Sequence, residues 1–133
     1  MTVESFDPNA IGGALDQTVV SDLLAAAANL DPTAPEAWDL DAAEAARLSF
    51  TATHSGWVDQ VASLDDDALR RLIYLFTLAE QTVPGWQAGD KSPVIVMVRA
   101  LKNRGTYSVE LTRWIKAHTD NKFLPHGSLA DLL

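Results

Sequence analysis

A chain of 133 residues that is 47% hydrophobic is long enough to fold as one globular domain around its own core. The absence of cysteine excludes disulfides, thiolate metal sites and cysteine nucleophiles, and it favours a reducing cytoplasm. No apolar run approaches the roughly 18 residues of a membrane span, and the N-terminus lacks the pattern of a secretory signal. With a net charge of −8, we expect an acidic cytoplasmic domain that does not enter a membrane.

The N-terminal part of the chain divides into an irregular segment and a helix. Residues 1–15 are predicted to form a mobile lead-in, because proline and paired glycines interrupt regular structure there. Residues 16–133 are predicted to form a single helical domain. Its first helix is expected from Gln17 to Asn29, where apolar side chains recur every three to four residues. Asp16 or Thr18 can cap the free N–H groups of its first turn.

A second helical region begins near Asp39 or Asp41 and extends to about Ala62. Asp41 and Glu44, three residues apart, resemble a capping box, in which each side chain accepts a hydrogen bond at the start of the helix. The alanine-rich stretch that follows favours a helix. The middle of the region is weak because it contains threonines and a glycine, so we expect a kink or a break at Gly56.

The third helix has the most complete start signal. Ser63 is its predicted cap, and the three aspartates at 65–67 fall in its first turn, where negative charge compensates the helix dipole. Cation binding is the alternative role for these aspartates, but they lack the alternation and central glycine of an EF-hand loop. Pro84-Gly85 ends the helix, and residues 84–92 are predicted to form a loop.

The most apolar segment of the chain is predicted to be a central helix. Residues 94–98 are apolar on every side, which is typical of a buried strand as well as of a buried helix. Ser92 and Pro93 are typical of a helix start, and Gly105 of a helix end. Because nothing else in the chain resembles a strand partner, we interpret residues 93–104 as a helix at the centre of the fold.

The C-terminal part completes an all-α prediction. Ser108 caps a last long helix that reaches about Thr119, and residues 128–133 are predicted to form a short helical turn. Only residues 103–107 separate this helix from the preceding one, so the two are expected to form an antiparallel pair. The predicted fold is a compact single-domain bundle of five main helices plus the C-terminal turn. A compact orthogonal array around residues 93–104 is the alternative.

Charge is distributed unevenly along the chain. Residues 1–90 contain 15 acids and 3 bases, whereas residues 91–133 contain 3 acids and 7 bases. This asymmetry indicates either acidic helices packed beside basic ones or a basic face for an anionic partner. Nucleic acid is disfavoured as that partner, because the net negative charge repels phosphates and no exposed basic recognition helix is evident.

Motifs that carry chemistry are missing from the sequence. It contains no phosphate-binding loop, no nucleophile elbow and no paired-histidine metal motif, so no catalytic residue, metal ligand or cofactor is predicted. The sequence therefore favours a small non-enzymatic accessory protein of bacterial type, which binds a protein partner or a second copy of itself.

The alternative function is binding, or chemical conversion, of an anionic small molecule by the basic pair of helices and the tail. If such a site exists, we expect it where residues 119–127 pass the loop at 84–92, because irregular segments often carry function. Aromatic, imidazole and guanidinium groups would contact the ligand. The residues predicted to line this site are Trp86, Arg99, Arg113, His118 and His126.

Overall fold

The computed structural model describes residues 14–127, and in this range the chain forms six α-helices joined by short 3-10 turns, with no strand. The helices are α1 (Gln17–Ala27), α2 (Ala42–Leu48), α3 (Trp57–Gln60), α4 (Asp66–Thr82), α5 (Pro93–Arg104) and α6 (Val109–Ala117). The predicted all-α fold is confirmed, with one helix more than expected. No helix in this range is long and apolar enough to cross a membrane. The first 13 residues of the predicted lead-in and the predicted turn at 128–133 lie outside the described residues.

Short polar side chains begin most of the helices, as the sequence indicates. Asp16 accepts a hydrogen bond from the N–H of Val19 at 2.9 Å, and Ser108 accepts one from Leu111 at 3.1 Å. At the start of α4 the cap is Asp65 rather than the predicted Ser63. These contacts satisfy N–H groups that have no partner within the helix.

The second helical region is broken more thoroughly than predicted. Helix α2 ends at Leu48, a 3-10 helix follows from Ser49 to Thr53, and α3 spans one turn after Gly56. The hydroxyl of Thr51 donates to the carbonyl of Leu48 at 2.6 Å, and this side-chain bond competes with a regular helix. This break accounts for the sixth helix.

Only half of the predicted capping box forms. Asp41 accepts hydrogen bonds from the N–H groups of Ala43 and Glu44. The carboxylate of Glu44 instead pairs with Arg47 at 2.7 Å, one turn further on.

A row of aromatic side chains lies at the middle of the core. The ring centroid of Phe76, on α4, lies 5.5 Å from that of Trp57 and 5.8 Å from that of Trp86. Both indoles are 1% exposed, and each N–H donates to a backbone carbonyl: Trp57 to Thr51 at 2.8 Å, and Trp86 to Ala45 at 3.0 Å. The row ties α4 to α3 and to the loop before α5.

Helix α5 packs closely against α4, as expected for the central helix. Six of its residues are buried, and Gly105 ends it in the left-handed conformation with φ of 74°. Helices α5 and α6, which were predicted to form an antiparallel pair, make few close backbone contacts with each other. Instead α6 packs through Trp114, whose ring lies 4.7 Å from Tyr74 of α4 and whose N–H donates to the carbonyl of Pro32 at 2.7 Å.

Candidate functional site

An open groove of about 450 Å³ lies between residues 53–58 and residues 90–99. On one side, Ser92 caps α5 by accepting from the N–H of Val94 at 3.2 Å, and the buried face of the helix fixes its rotation. Val96 and Arg99 lie three residues apart on α5, so they share one face and both line the groove. The wall that α5 forms is therefore apolar at Val96 and cationic about one turn further along the helix, at Arg99.

The opposite wall presents an exposed valine. Trp57 is fixed in the core by its hydrogen bond to Thr51 and by its edge-on contact with Phe76. Val58, the next residue of α3, also lines the groove and is 64% exposed, the largest exposure of any large hydrophobic residue in the described range. An aliphatic side chain so exposed is stabilised when another apolar group covers it.

The imidazole of His54 completes this wall in a fixed orientation. Its Nδ1 accepts the N–H of Gly56 at 2.8 Å, so in the neutral ring the proton is on Nε2. That Nε2 is buried and has no hydrogen-bond partner among residues 14–127. Gly56 is suited to this turn, because a Cβ at this position would lie 2.9 Å from the Nδ1 of His54.

The charges at the rim of the groove sum to one net positive charge, from Lys91 and Arg99 against Asp90. Neither Lys91 nor Arg99 forms an ion pair with a carboxylate in the described part of the chain. Both cations are exposed, so they are available to an acidic group that enters the groove.

The loop that supplies Asp90, Lys91 and Ser92 is held in place by the side chains of Glu80 and Asn121, which together we call the clamp. The carboxylate of Glu80, on α4, accepts the N–H groups of Ala88 at 2.9 Å and Gly89 at 3.1 Å. The side-chain amide of Asn121 donates to both oxygens of Glu80, at 3.0 and 3.2 Å, and to the carbonyl of Gly89 at 2.9 Å. The tail thus meets the loop as the sequence suggested, but the polar groups there satisfy one another.

The five residues predicted as ligand contacts lie in separate surroundings. Arg99 lines the groove, whereas Trp86 is buried in the aromatic row, where its indole is closed to a ligand. Arg113 is exposed on α6. His118 lines a different hollow, of about 470 Å³, and its Nδ1 is hydrogen-bonded to the carbonyl of Trp114 at 2.7 Å. A joint ligand-binding role for the five residues stays a prediction.

The remaining predicted residue, His126, lies among cations. The Nζ of Lys102 is 2.7 Å from its Nδ1, and the ring of Tyr107 packs edge-on against it at 6.1 Å. Burial lowers the pKa of His126, and the charges of Lys102 and Lys116 lower it further. Among the described residues, no group of three or more histidines and carboxylates is placed to hold a metal ion.

No family model, curated protein or solved structure matches the chain. The groove was not predicted as a site, because His54 and Val58 show no motif and lie some 40 residues before the helix that they face. The sequence contained only a weak indication of the groove. Val58 follows Trp57 in a region where the helix was already expected to break.

Proposed function

We propose that the protein is a small non-enzymatic interaction domain, which binds an acidic, partly apolar peptide segment of another protein in the groove beside α5. The observation that carries the proposal is the position of Val58, 64% exposed at the rim of a groove whose opposite wall holds Arg99, a cation with no carboxylate partner within residues 14–127. An apolar side chain of the partner would cover Val58 and Val96, and a carboxylate would pair with Arg99 or Lys91. The cytoplasm, which the lack of cysteine favours, is the proposed compartment.

The polar groups of the groove support binding rather than catalysis. His54 is the imidazole in the groove, and a general base needs an exposed nitrogen within reach of substrate. Its Nδ1 is used by Gly56, and its Nε2 is buried. Asp90 and Lys91 are adjacent in sequence and exposed, which leaves them largely hydrated.

The proposal is tested by selecting peptides from a random phage-displayed library on the intact protein. We expect the enriched peptides to combine acidic with aliphatic or aromatic residues. Their affinities for single variants, measured by fluorescence polarisation, identify the surface that binds them. Val58→Asp and Arg99→Glu should each weaken binding about tenfold or more, because each places a negative charge against an acidic partner.

Val109→Asp is the matched control. Val109 is 61% exposed and lies on α6, so this variant makes the same change at an almost equally exposed site away from the groove. The proposal is overturned if Val109→Asp weakens binding as much as Val58→Asp, or if the enriched peptides carry no acidic residues. It is also overturned if the protein forms a dimer that Val58→Asp dissociates, since a second copy would then be the occupant.

A further inference from the structure

The start of the described range lies beside the groove. Leu15 is 7% exposed, and its carbonyl accepts a hydrogen bond at 2.9 Å from the side-chain amide of Gln60, the last residue of α3. A Cβ at Gly56 would lie 3.4 Å from the Cδ2 of Leu15 and 2.9 Å from the Nδ1 of His54. Leu15 therefore packs against the turn that forms one wall of the groove. These contacts fix the point at which residues 1–13 join the domain.

The composition of residues 1–13 matches the ligand proposed for the groove. Glu4 and Asp7 are the charged side chains of this segment, and both are acidic. Its apolar side chains include Phe6 and Ile11. The rim of the groove carries one net positive charge and an exposed valine, so the segment and the groove are complementary in charge and in polarity.

The segment is long enough to enter the groove from its attachment at Leu15. An extended chain spans about 3.3–3.6 Å per residue, so Ile11 can lie up to roughly 14 Å from Leu15, and Asp7 up to roughly 28 Å. These lengths exceed the width of a hollow of about 450 Å³. Val58 is therefore within reach of Ile11, and Arg99, on the opposite wall, is within reach of Asp7.

We propose that residues 1–13 bind in the groove of their own chain and compete there with the partner peptide. Ile11 covers Val58, and the carboxylate of Asp7 pairs with Arg99. This inference rests on the function proposed for the groove, because it assigns a second occupant to the same site. The segment thereby lowers the affinity of the groove for every partner.

Attachment to the domain makes even a weak contact effective. A segment joined by a short linker is present at an effective concentration of about 1 mM. With a Kd of about 0.1–0.5 mM, it would occupy the groove for about two-thirds to nine-tenths of the time. The partner binds only the unoccupied groove, so its apparent affinity is then about three- to tenfold weaker.

The first measurement uses no peptide, so its result does not depend on the partner. The backbone amide resonances of Val58 and Arg99 are compared by NMR between the unaltered chain and the double variant Phe6→Ser/Ile11→Ser. Both amides should shift, because the loss of two apolar side chains releases the segment from the groove. The control Val109→Ser removes an exposed apolar side chain from α6 and should leave both amides unchanged.

The second measurement tests competition for the groove. The affinities of the enriched acidic peptides are measured by fluorescence polarisation against the full-length variants. Phe6→Ser/Ile11→Ser should strengthen peptide binding about three- to tenfold, because the competing segment is released. Val109→Ser should leave the affinities unchanged.

A charge variant tests the acidic part of the segment. Glu4→Gln/Asp7→Asn should strengthen peptide binding about two- to fivefold, because an exposed ion pair contributes modestly. The matched control is Glu36→Gln/Glu110→Gln, which removes two exposed carboxylates elsewhere and makes the same change in net charge. A gain in affinity that is equal in the two variants would show an effect of net charge alone and would overturn the inference.

Two further results would overturn the inference. One is that the amides of Val58 and Arg99 stay unmoved in Phe6→Ser/Ile11→Ser. The other is that their shifts depend on protein concentration, because the segment would then bind a second copy. Failure of the proposed function is a different result, in which Val58→Asp and Val109→Asp weaken peptide binding equally. The amide comparison would then still decide whether the segment occupies the groove.

Discussion

Replacing Asn121 with alanine tests how strongly the tail holds the loop that forms one wall of the groove. The substitution removes the amide group that joins Glu80 and the carbonyl of Gly89, and also the side-chain carbonyl that accepts from the N–H of Phe123 at 2.9 Å. Glu80 keeps its two bonds from Ala88 and Gly89, so its carboxylate is not left without partners.

The expected loss follows from the kinds of hydrogen bond that disappear. A bond to a charged acceptor contributes about 1.5–3 kcal/mol, and each neutral bond contributes about 0.5–1.5 kcal/mol. Asn121 is only partly buried, so water can replace some of what is lost. We therefore expect the free energy of unfolding to fall by about 2–3 kcal/mol, and Tm to fall by roughly 10 °C for a domain of this size.

Urea unfolding followed by far-ultraviolet circular dichroism measures this change. Asn103→Ala is the matched control, because Asn103 is exposed in the last turn of α5. Alanine is the better helix former, so the control should be neutral or slightly stabilising. If Asn121→Ala lies within about 0.5 kcal/mol of the wild type, a typical value for an unimportant surface site, the clamp does not hold the loop.

Three further changes test other contacts. The Arg104 guanidinium holds the pKa of Asp66 below its usual value, so the stability from this pair is present above about pH 4 and is lost as the pH falls below it. Arg104→Met should lower the urea midpoint at pH 7, and the free energy of unfolding should depend less on pH below about pH 4. An unchanged dependence on pH contradicts this. Trp86→Phe removes the bond to Ala45 and leaves a gap, which should cost about 1–3 kcal/mol in urea unfolding, and no loss would refute the packing argument. Gly56→Ala should displace the His54 ring, seen as a changed NMR shift of its Nδ1, and should cost about 1–2 kcal/mol; an unmoved ring contradicts the predicted clash.

Helix starts and ends were largely predictable because they depend on residues adjacent in the sequence. Asp16, Ser92 and Ser108 cap helices as expected, and Gly105 ends α5. The extent of the break after Leu48 was underestimated, because that break depends on contacts between residues that are not adjacent in the sequence. It includes a hydrogen bond from Trp57 to Thr51 and the packing of that indole on Phe76, which no local pattern contains.

The candidate site was harder to predict, because its walls come together only in the folded chain. Arg99 was named as a ligand contact and lies at the groove, but Val58 was not considered. Trp86 illustrates the converse difficulty. Its place in a loop between glycines is compatible with exposure, but its indole reaches a carbonyl 41 residues away and is buried. Sequence spacing contains no information on contacts across that distance.

The distribution of indoles gives this protein internal optical probes. Trp57 forms part of the groove beneath Val58, whereas Trp114 lies on another face with the imidazole of His118 at 4.4 Å. Tryptophan emission responds to the polarity around the ring, so an occupant of the groove should alter the emission of Trp57. The chain has four tryptophans. With the other three, Trp38, Trp86 and Trp114, replaced by phenylalanine in a variant that still folds, groove binding could be followed in unlabelled protein.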